Sequence, residues 1–208
     1  MLLSAGLPLE SAEAAMVLIH GRGASARDIL IGAGPLLDVP NFAFLAPEAE
    51  GGAWYPNPFT APLGSNEPWL SQALETLGQV IAQAGEAGIP DERVMLLGFS
   101  QGACLALEYA ARNARRWGGI AAWSGALIGP PDTPRDYSGS FDGTPAFLGC
   151  GDQDPFIPAE LVRESAEVYN RLGAVATVTI YSGMGHIVNA DETEQVRRMM
   201  AALTARRT

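Results

Sequence analysis

The sequence of 208 residues holds 13 Lys and Arg against 23 Asp and Glu, for a formal net charge of -10 and a pI near 4.6. So acidic a surface repels phosphate backbones and anionic membranes, which disfavours nucleic-acid binding. The 48% hydrophobic content is enough to bury one large core, and the length suits a single α/β domain over residues 1–208.

The first residues, Met1-Leu2-Leu3 and onward to Glu13, are small, polar or interrupted by Gly6 and Pro8, which suits a tail or a short edge strand. They lack the basic start of a secretory signal, and no apolar run reaches spanning length, so a soluble cytoplasmic protein is expected. Ala14-Ala15-Met16-Val17-Leu18-Ile19 is a continuous apolar run of strand length, as a strand covered on both faces requires. It runs into His20-Gly21-Arg22-Gly23-Ala24, after which Ser25 caps a helix predicted to reach about Leu37. Phe42 to Ala46 reads as a second buried strand, stopped by Pro47.

Between Glu48 and Pro68 lies a Gly-, Pro- and aromatic-rich stretch with Trp54, Tyr55 and Phe59, and Trp69 follows at once. A connection of that length inside one domain more often carries function than not. Leu70, Leu74, Leu77, Val80, Ile81 and Ala84 then recur at helical spacing to about Ala87.

The next segment organises the chain. The apolar run Arg93 to Leu97 leads into Gly98-Phe99-Ser100-Gln101-Gly102, and an Ala- and Leu-rich helix follows to about Arg115. Strand, G-x-S-x-G, helix is the signature of a nucleophile elbow, where the two glycines let strand and helix approach without a Cβ clash. The turn aims the backbone N–H of Gln101 and the positive end of the helix at the place where an oxyanion forms beside Ser100.

Gly119 to Trp123 is a further strand, followed by a Pro- and Gly-rich connection to Gly143. Pro145 to Cys150 is the next strand and runs into Gly151-Asp152-Gln153-Asp154-Pro155-Phe156-Ile157-Pro158; a helix spans about Ala159 to Leu172. The β-branched run Ala174 to Tyr181 is the last strand, leading to Ser182-Gly183-Met184-Gly185-His186 and a helix from about Asp191 to Ala205. Alternating strands and helices imply a mainly parallel sheet of about six to seven strands, with right-handed crossovers and helices on both faces.

In such a sheet, ligands bind outside the carboxyl ends of the strands. Three reactive residue types fall there in the order Ser, Asp, His: Ser100, an acid in the Asp152/Asp154 segment, and His186. The chain has two histidines. His186, in a Gly-flanked loop after the last strand, suits the general base; His20 suits a structural role in its own turn. Asp152 lies nearer the strand end, Asp154 deeper in the loop before Pro155, and local spacing leaves both open. The turn after the first strong strand is where this fold places a second oxyanion donor, which makes the Arg22 N–H the partner of the Gln101 N–H. The Arg22 side chain suits either solvent or a pocket mouth. Trp54, Tyr55, Trp69 and Trp123 are expected to line an acyl or alcohol pocket, with a core position the other reading for Trp123. Cys104 and Cys150 sit in apolar runs, as buried free thiols do.

Four segments, Leu18-Ile19-His20-Gly21-Arg22-Gly23, Gly98-Phe99-Ser100-Gln101-Gly102, Gly151 to Pro158 and Gly185-His186, together resemble the phospholipase/carboxylesterase family of α/β hydrolases. That family includes bacterial carboxylesterases and acyl-protein thioesterases. The resemblance implies an α/β-hydrolase fold, here with its N-terminal strands reduced. It further implies Ser100 as nucleophile, Asp154 as acid and His186 as base, oxyanion donors at Arg22 and Gln101, no metal and no cofactor. The expected activity is hydrolysis of short- to medium-chain carboxylic esters, since the aromatic cluster around Trp54 and Tyr55 suits a compact pocket better than a long acyl tunnel. Rivals on the same scaffold are an acyl thioesterase, a lysophospholipase, a perhydrolase, and a dienelactone-type enzyme, which normally carries cysteine at the elbow. A ligand-binding or sensor module that keeps the three residues is the non-enzymatic alternative. The expected partner is a small-molecule ester; dimerisation is common in the family, but no apolar stripe marks an interface.

Overall fold

The computed structural model describes residues 1–205, the Leu37 side chain excepted; residues 206–208, the end of the expected domain, lie outside the described residues. Among the described residues seven strands form one sheet: β1 (Leu2–Gly6), β2 (Ala14–Ile19), β3 (Phe42–Pro47), β4 (Val94–Phe99), β5 (Gly119–Trp123), β6 (Pro145–Gly151) and β7 (Val175–Tyr181). Their order is β1-β3-β2-β4-β5-β6-β7. Only β1 runs antiparallel to its neighbour, with Leu2 opposite Pro47 and Gly6 opposite Ala43; the other pairs are parallel. The N-terminal segment is therefore an edge strand.

Six α-helices among the described residues cover the sheet: α1 (Ala26–Gly32), α2 (Gly34–Leu37), α3 (Trp69–Glu86), α4 (Gln101–Arg112), α5 (Ala159–Arg171) and α6 (Ala190–Thr204). None among the described residues is long and apolar enough to cross a membrane. All six residues of β2 are buried, as its unbroken apolar sequence requires. On one side of the sheet α3, α4 and α5 close over Val17, Leu96, Ile120 and Leu148. On the other, α1 and α6 close over Met16, Leu97, Ala121 and Phe147.

Element ends differ from the sequence expectation where a local backbone effect intervenes. The helix expected from Ser25 to Leu37 breaks at Ala33, because Pro35 has no N–H to continue the first helix's ladder. Its start is as read: Ser25 Oγ accepts the Asp28 N–H at 3.2 Å while the Asp28 carboxylate accepts the Ser25 N–H at 2.9 Å, a reciprocal cap. Helix α4 stops at Arg112 instead of near Arg115, since Asn113 leaves helical geometry and its side chain donates to the Tyr109 carbonyl at 2.9 Å. Its length places the buried Glu108 carboxylate against the long β5–β6 connection. There it accepts from the Ile128 N–H at 3.2 Å, the Tyr137 hydroxyl at 3.0 Å and Arg112 at 2.7 Å. A connection without helix or strand is thus held by one satisfied buried anion.

Candidate active site

Ser100 stands between β4 and α4 with φ 55° and ψ -122°, outside the ordinary regions for a residue with a side chain. Its own N–H donates to the Trp123 carbonyl at 2.9 Å, and its carbonyl receives the Cys104 N–H at 3.0 Å. The strain is imposed by close packing. A methyl group at Gly98 would run into the backbone of Gly102, and one at Gly102 would run into the carbonyls of Ile19 and His20. The elbow therefore seats against the end of β2, and only hydrogen atoms fit in the two gaps.

That seating brings the His20–Gly23 turn to the serine. A methyl at Gly21 would stand 3.3 Å from the Ser100 Cβ. Among the described residues the Arg22 and Gln101 backbone N–H groups have no hydrogen-bond acceptor, which leaves two donors beside Ser100, one of them on the first turn of α4.

His186, in the loop after β7, reaches Ser100 Oγ with Nε2 at 2.8 Å and the Asp154 carboxylate with Nδ1 at 2.6 Å. Its ring lies 4.9 Å from the Phe99 ring and meets the Phe156 ring edge-on at 5.0 Å, so two aromatic side chains fix its plane. The Asp154 side chain is fully buried. Burial pushes its carboxyl pKa up, but hydrogen bonds from His186 and from the Phe156 and Ile157 N–H groups (2.9 and 3.0 Å) outweigh burial and hold it below the ordinary value. Asp152 takes a different place: it accepts the Gly183 N–H at 2.7 Å and tethers the loop that carries His186. The two aspartates left open by spacing thus separate, one onto the histidine and one onto its loop.

His20 is fully buried. Its Nε2 accepts the Ala49 N–H at 3.0 Å, so Nδ1 carries the proton and donates to the Gly21 carbonyl at 2.8 Å. It holds its turn, as expected of it. The Glu48–Pro68 segment is held in the same way. The Gln101 side chain accepts the Trp54 N–H at 2.9 Å and donates to the Tyr55 carbonyl at 2.8 Å. The Arg22 guanidinium donates to that same carbonyl at 2.7 Å and to the Asn57 carbonyl at 3.1 Å. Side chains of both residues with a free N–H beside Ser100 therefore grip one carbonyl oxygen.

A cavity of about 520 Å³ opens at Ser100, walled by Tyr55 to Thr60 and by Phe156 and Ile157, with Cys104 and Arg22 also in its lining. A second, of about 470 Å³, lies on the other side of His186 between Phe99, Trp123, Ile187 and Ile29, and Ser100 does not border it. Of the four aromatics expected at a pocket, Tyr55 alone lines the first cavity and Trp123 the second. Trp123 is also buried in the core under α6, so both of its readings describe it. Trp54 lies behind the wall, its indole N–H bonded to the His20 carbonyl at 2.8 Å and its ring packed on His20. Trp69 begins α3 and is half exposed, away from both cavities. Cys104, Phe156 and the Pro56–Thr60 wall were not expected there. Cys104 follows Ser100 by one helical turn and Phe156 follows Asp154 by two residues, spacings that carry the information.

Sheet order, elbow geometry and the residues at the strand ends define an α/β hydrolase. A family model described as Phospholipase/Carboxylesterase matches residues 7–204, and the chain belongs to that family. A crystal structure of a phospholipase/carboxylesterase from Dyadobacter fermentans is 40% identical, with a TM-score of 0.91 over 96% of this chain and 95% of that one. Acyl-protein thioesterase 1 of Saccharomyces cerevisiae is 32% identical over 126 residues, which are 60% of this chain and 56% of the relative. A putative carboxymethylenebutenolidase of Salmonella typhimurium is also 32% identical over 126 residues, 58% of this chain and 46% of the relative. The chain spans about half the length of the curated relatives it matches.

Proposed function

We propose that the chain is a serine carboxylesterase acting on short- to medium-chain esters through an acyl-enzyme. The observation that carries this reading is the continuous hydrogen-bonded series Asp154, His186, Ser100 beside two unpartnered N–H groups. Ser100 Oγ attacks the ester carbonyl and gives its proton to His186 Nε2. Asp154 keeps the imidazole oriented through Nδ1 and stabilises the imidazolium. The Arg22 and Gln101 N–H groups receive the negative charge of the tetrahedral intermediate, a contribution of about a hundredfold or more in rate per donor. His186 then protonates the departing alcohol, and water repeats the sequence to release the acid.

The two cavities divide the substrate. An acyl group bonded to Ser100 Oγ extends into the cavity that Ser100 borders, and the leaving alcohol takes the second cavity, which His186 borders and Ser100 does not. The similarity to a thioesterase favours one second reading, acyl thioester hydrolysis by the same steps. Hydrolysis of 4-nitrophenyl esters from acetate to laurate, by wild type and Ser100→Ala, tests the proposal. Turnover greatest at short chains and absent from the variant is expected. No turnover by wild type, or activity that survives in the variant, overturns it.

A further inference from the structure

The acyl cavity carries an uneven charge. Apart from His186, Arg22 is the one ionisable cation among its lining residues, and no Asp or Glu borders it, although the chain as a whole carries -10. Arg93, Arg112, Arg115, Arg135 and Arg198 each face a carboxylate; Arg22 faces none among the described residues. Nor is its guanidinium loose. One nitrogen, Nη2, donates to the carbonyls of Tyr55 and Asn57, which holds the guanidinium in the cavity lining and leaves Nη1 and Nε without a partner among the described residues. The free Nε–H and Nη1–H lie on different sides of the guanidinium, and each offers a carboxylate one charge-assisted hydrogen bond.

Resting on the esterase reading, we propose that Arg22 forms an anion subsite and that the preferred acyl group ends in a carboxylate, so that the substrate is a half-ester of a short dicarboxylic acid. The position sets the length. The backbone N–H of Arg22 lies beside the reacting carbonyl while its side chain folds back along the cavity wall to Tyr55 and Asn57, so the two recognition points are one arginine side chain apart. An acyl chain of a few methylenes bridges them; an acetyl group does not reach, and a long aliphatic tail brings its apolar end against a charge. The lone cation also offsets, within the cavity, the repulsion that so acidic a chain exerts on an anionic substrate.

The test compares mono(4-nitrophenyl) adipate with 4-nitrophenyl hexanoate, equal in chain length and different in the terminal carboxylate, on wild type, Arg22→Met and Arg22→Lys. The readout is the ratio of kcat/KM for the two esters within each protein, because the loss of the tether to Tyr55 affects both substrates alike. In wild type the ratio is expected to exceed that of Arg22→Met about tenfold, mainly through KM, with Arg22→Lys between them. Added salt is expected to shrink the preference in wild type alone. Hexanoate turnover with equal ratios in wild type and Arg22→Met overturns the anion subsite and leaves the esterase standing. If wild type turns over neither ester, the esterase reading falls, and calorimetric titration of the Ser100→Ala protein with adipate and hexanoate decides the subsite on its own. Tighter adipate binding that Arg22→Met abolishes sustains it, and equal binding overturns it.

Discussion

Replacing Glu192 by Gln is expected to make the protein more stable at alkaline pH by about 3 kcal/mol relative to its effect at acid pH. Glu192 is fully buried in the first turn of α6. Its Oε2 accepts the Asn189 N–H at 2.9 Å, whereas Oε1 stands over Gly149 with no hydrogen-bond partner among the described residues. Burial pushes the carboxyl up to about 7, partly offset by the Asn189 N–H and reinforced by the neighbouring Asp191. In the unfolded chain the same group titrates near 4.5. Between those two values the folded state holds the proton that the unfolded state has lost, so stability falls as pH rises. Below the unfolded value this group carries no penalty, and above the folded value the penalty is complete. A difference of about 2.5 units at roughly 1.4 kcal/mol each comes to about 3 kcal/mol, or on the order of 10 °C in Tm for a chain this long. Glutamine keeps the shape and an acceptor for Asn189 but does not titrate. Urea unfolding of both proteins from pH 4 to 9 measures the difference. Parallel stability curves would show that the carboxylate finds a partner in solution and would refute the reasoning.

Asp154→Asn is expected to lower kcat by about four orders of magnitude, as loss of the tautomer-fixing carboxylate does, while Asp152→Asn, which keeps an acceptor for the Gly183 N–H, stays within a few-fold; the reverse pattern in ester kinetics would exchange the two roles. Gly102→Ala forces a methyl against the carbonyls of Ile19 and His20 and is expected to cost about 1–3 kcal/mol in a denaturation curve and most of the activity with it. Burial pushes the Cys104 and Cys150 thiols up to about 12, so the native protein at pH 8 is expected to release no thionitrobenzoate from DTNB until denaturant is added, even though Cys104 lies in the lining of the acyl cavity.

What local chemistry dictates was legible in the chain. The elbow announces itself because the glycines, the strand before and the helix after serve one tight turn, and β2 and β3 read as buried strands because their runs are continuously apolar. Asp152 and Asp154 were not separable by spacing, since each suits a turn and the distinction lies in which one the β7 loop meets across 32 residues. The pocket aromatics were overread for a related reason. A segment without periodicity shows no face, so nothing in Trp54 or Trp69 tells that one turns inward to His20 and the other outward. The break at Ala33 was in reach, because Pro35 stands in the sequence and forbids the next rung of the ladder. The Glu108 anchor was not, because its partners arrive from a connection with no pattern of its own.

The Tyr55 carbonyl receives the side chains of both Arg22 and Gln101, and Tyr55 also lines the acyl cavity. On the proposed mechanism, the wall that measures the acyl group is therefore fastened to the groups that receive the oxyanion, and the fastening is completed once, at folding, and not anew in each turnover. A segment so fastened is ill suited to act as a lid. A change of specificity made by remodelling the backbone near Tyr55 also moves the donors that set the rate. Divergence toward new substrates is then expected to proceed through side chains on an unchanged backbone in this segment, where selectivity can drift without disturbing the catalytic step.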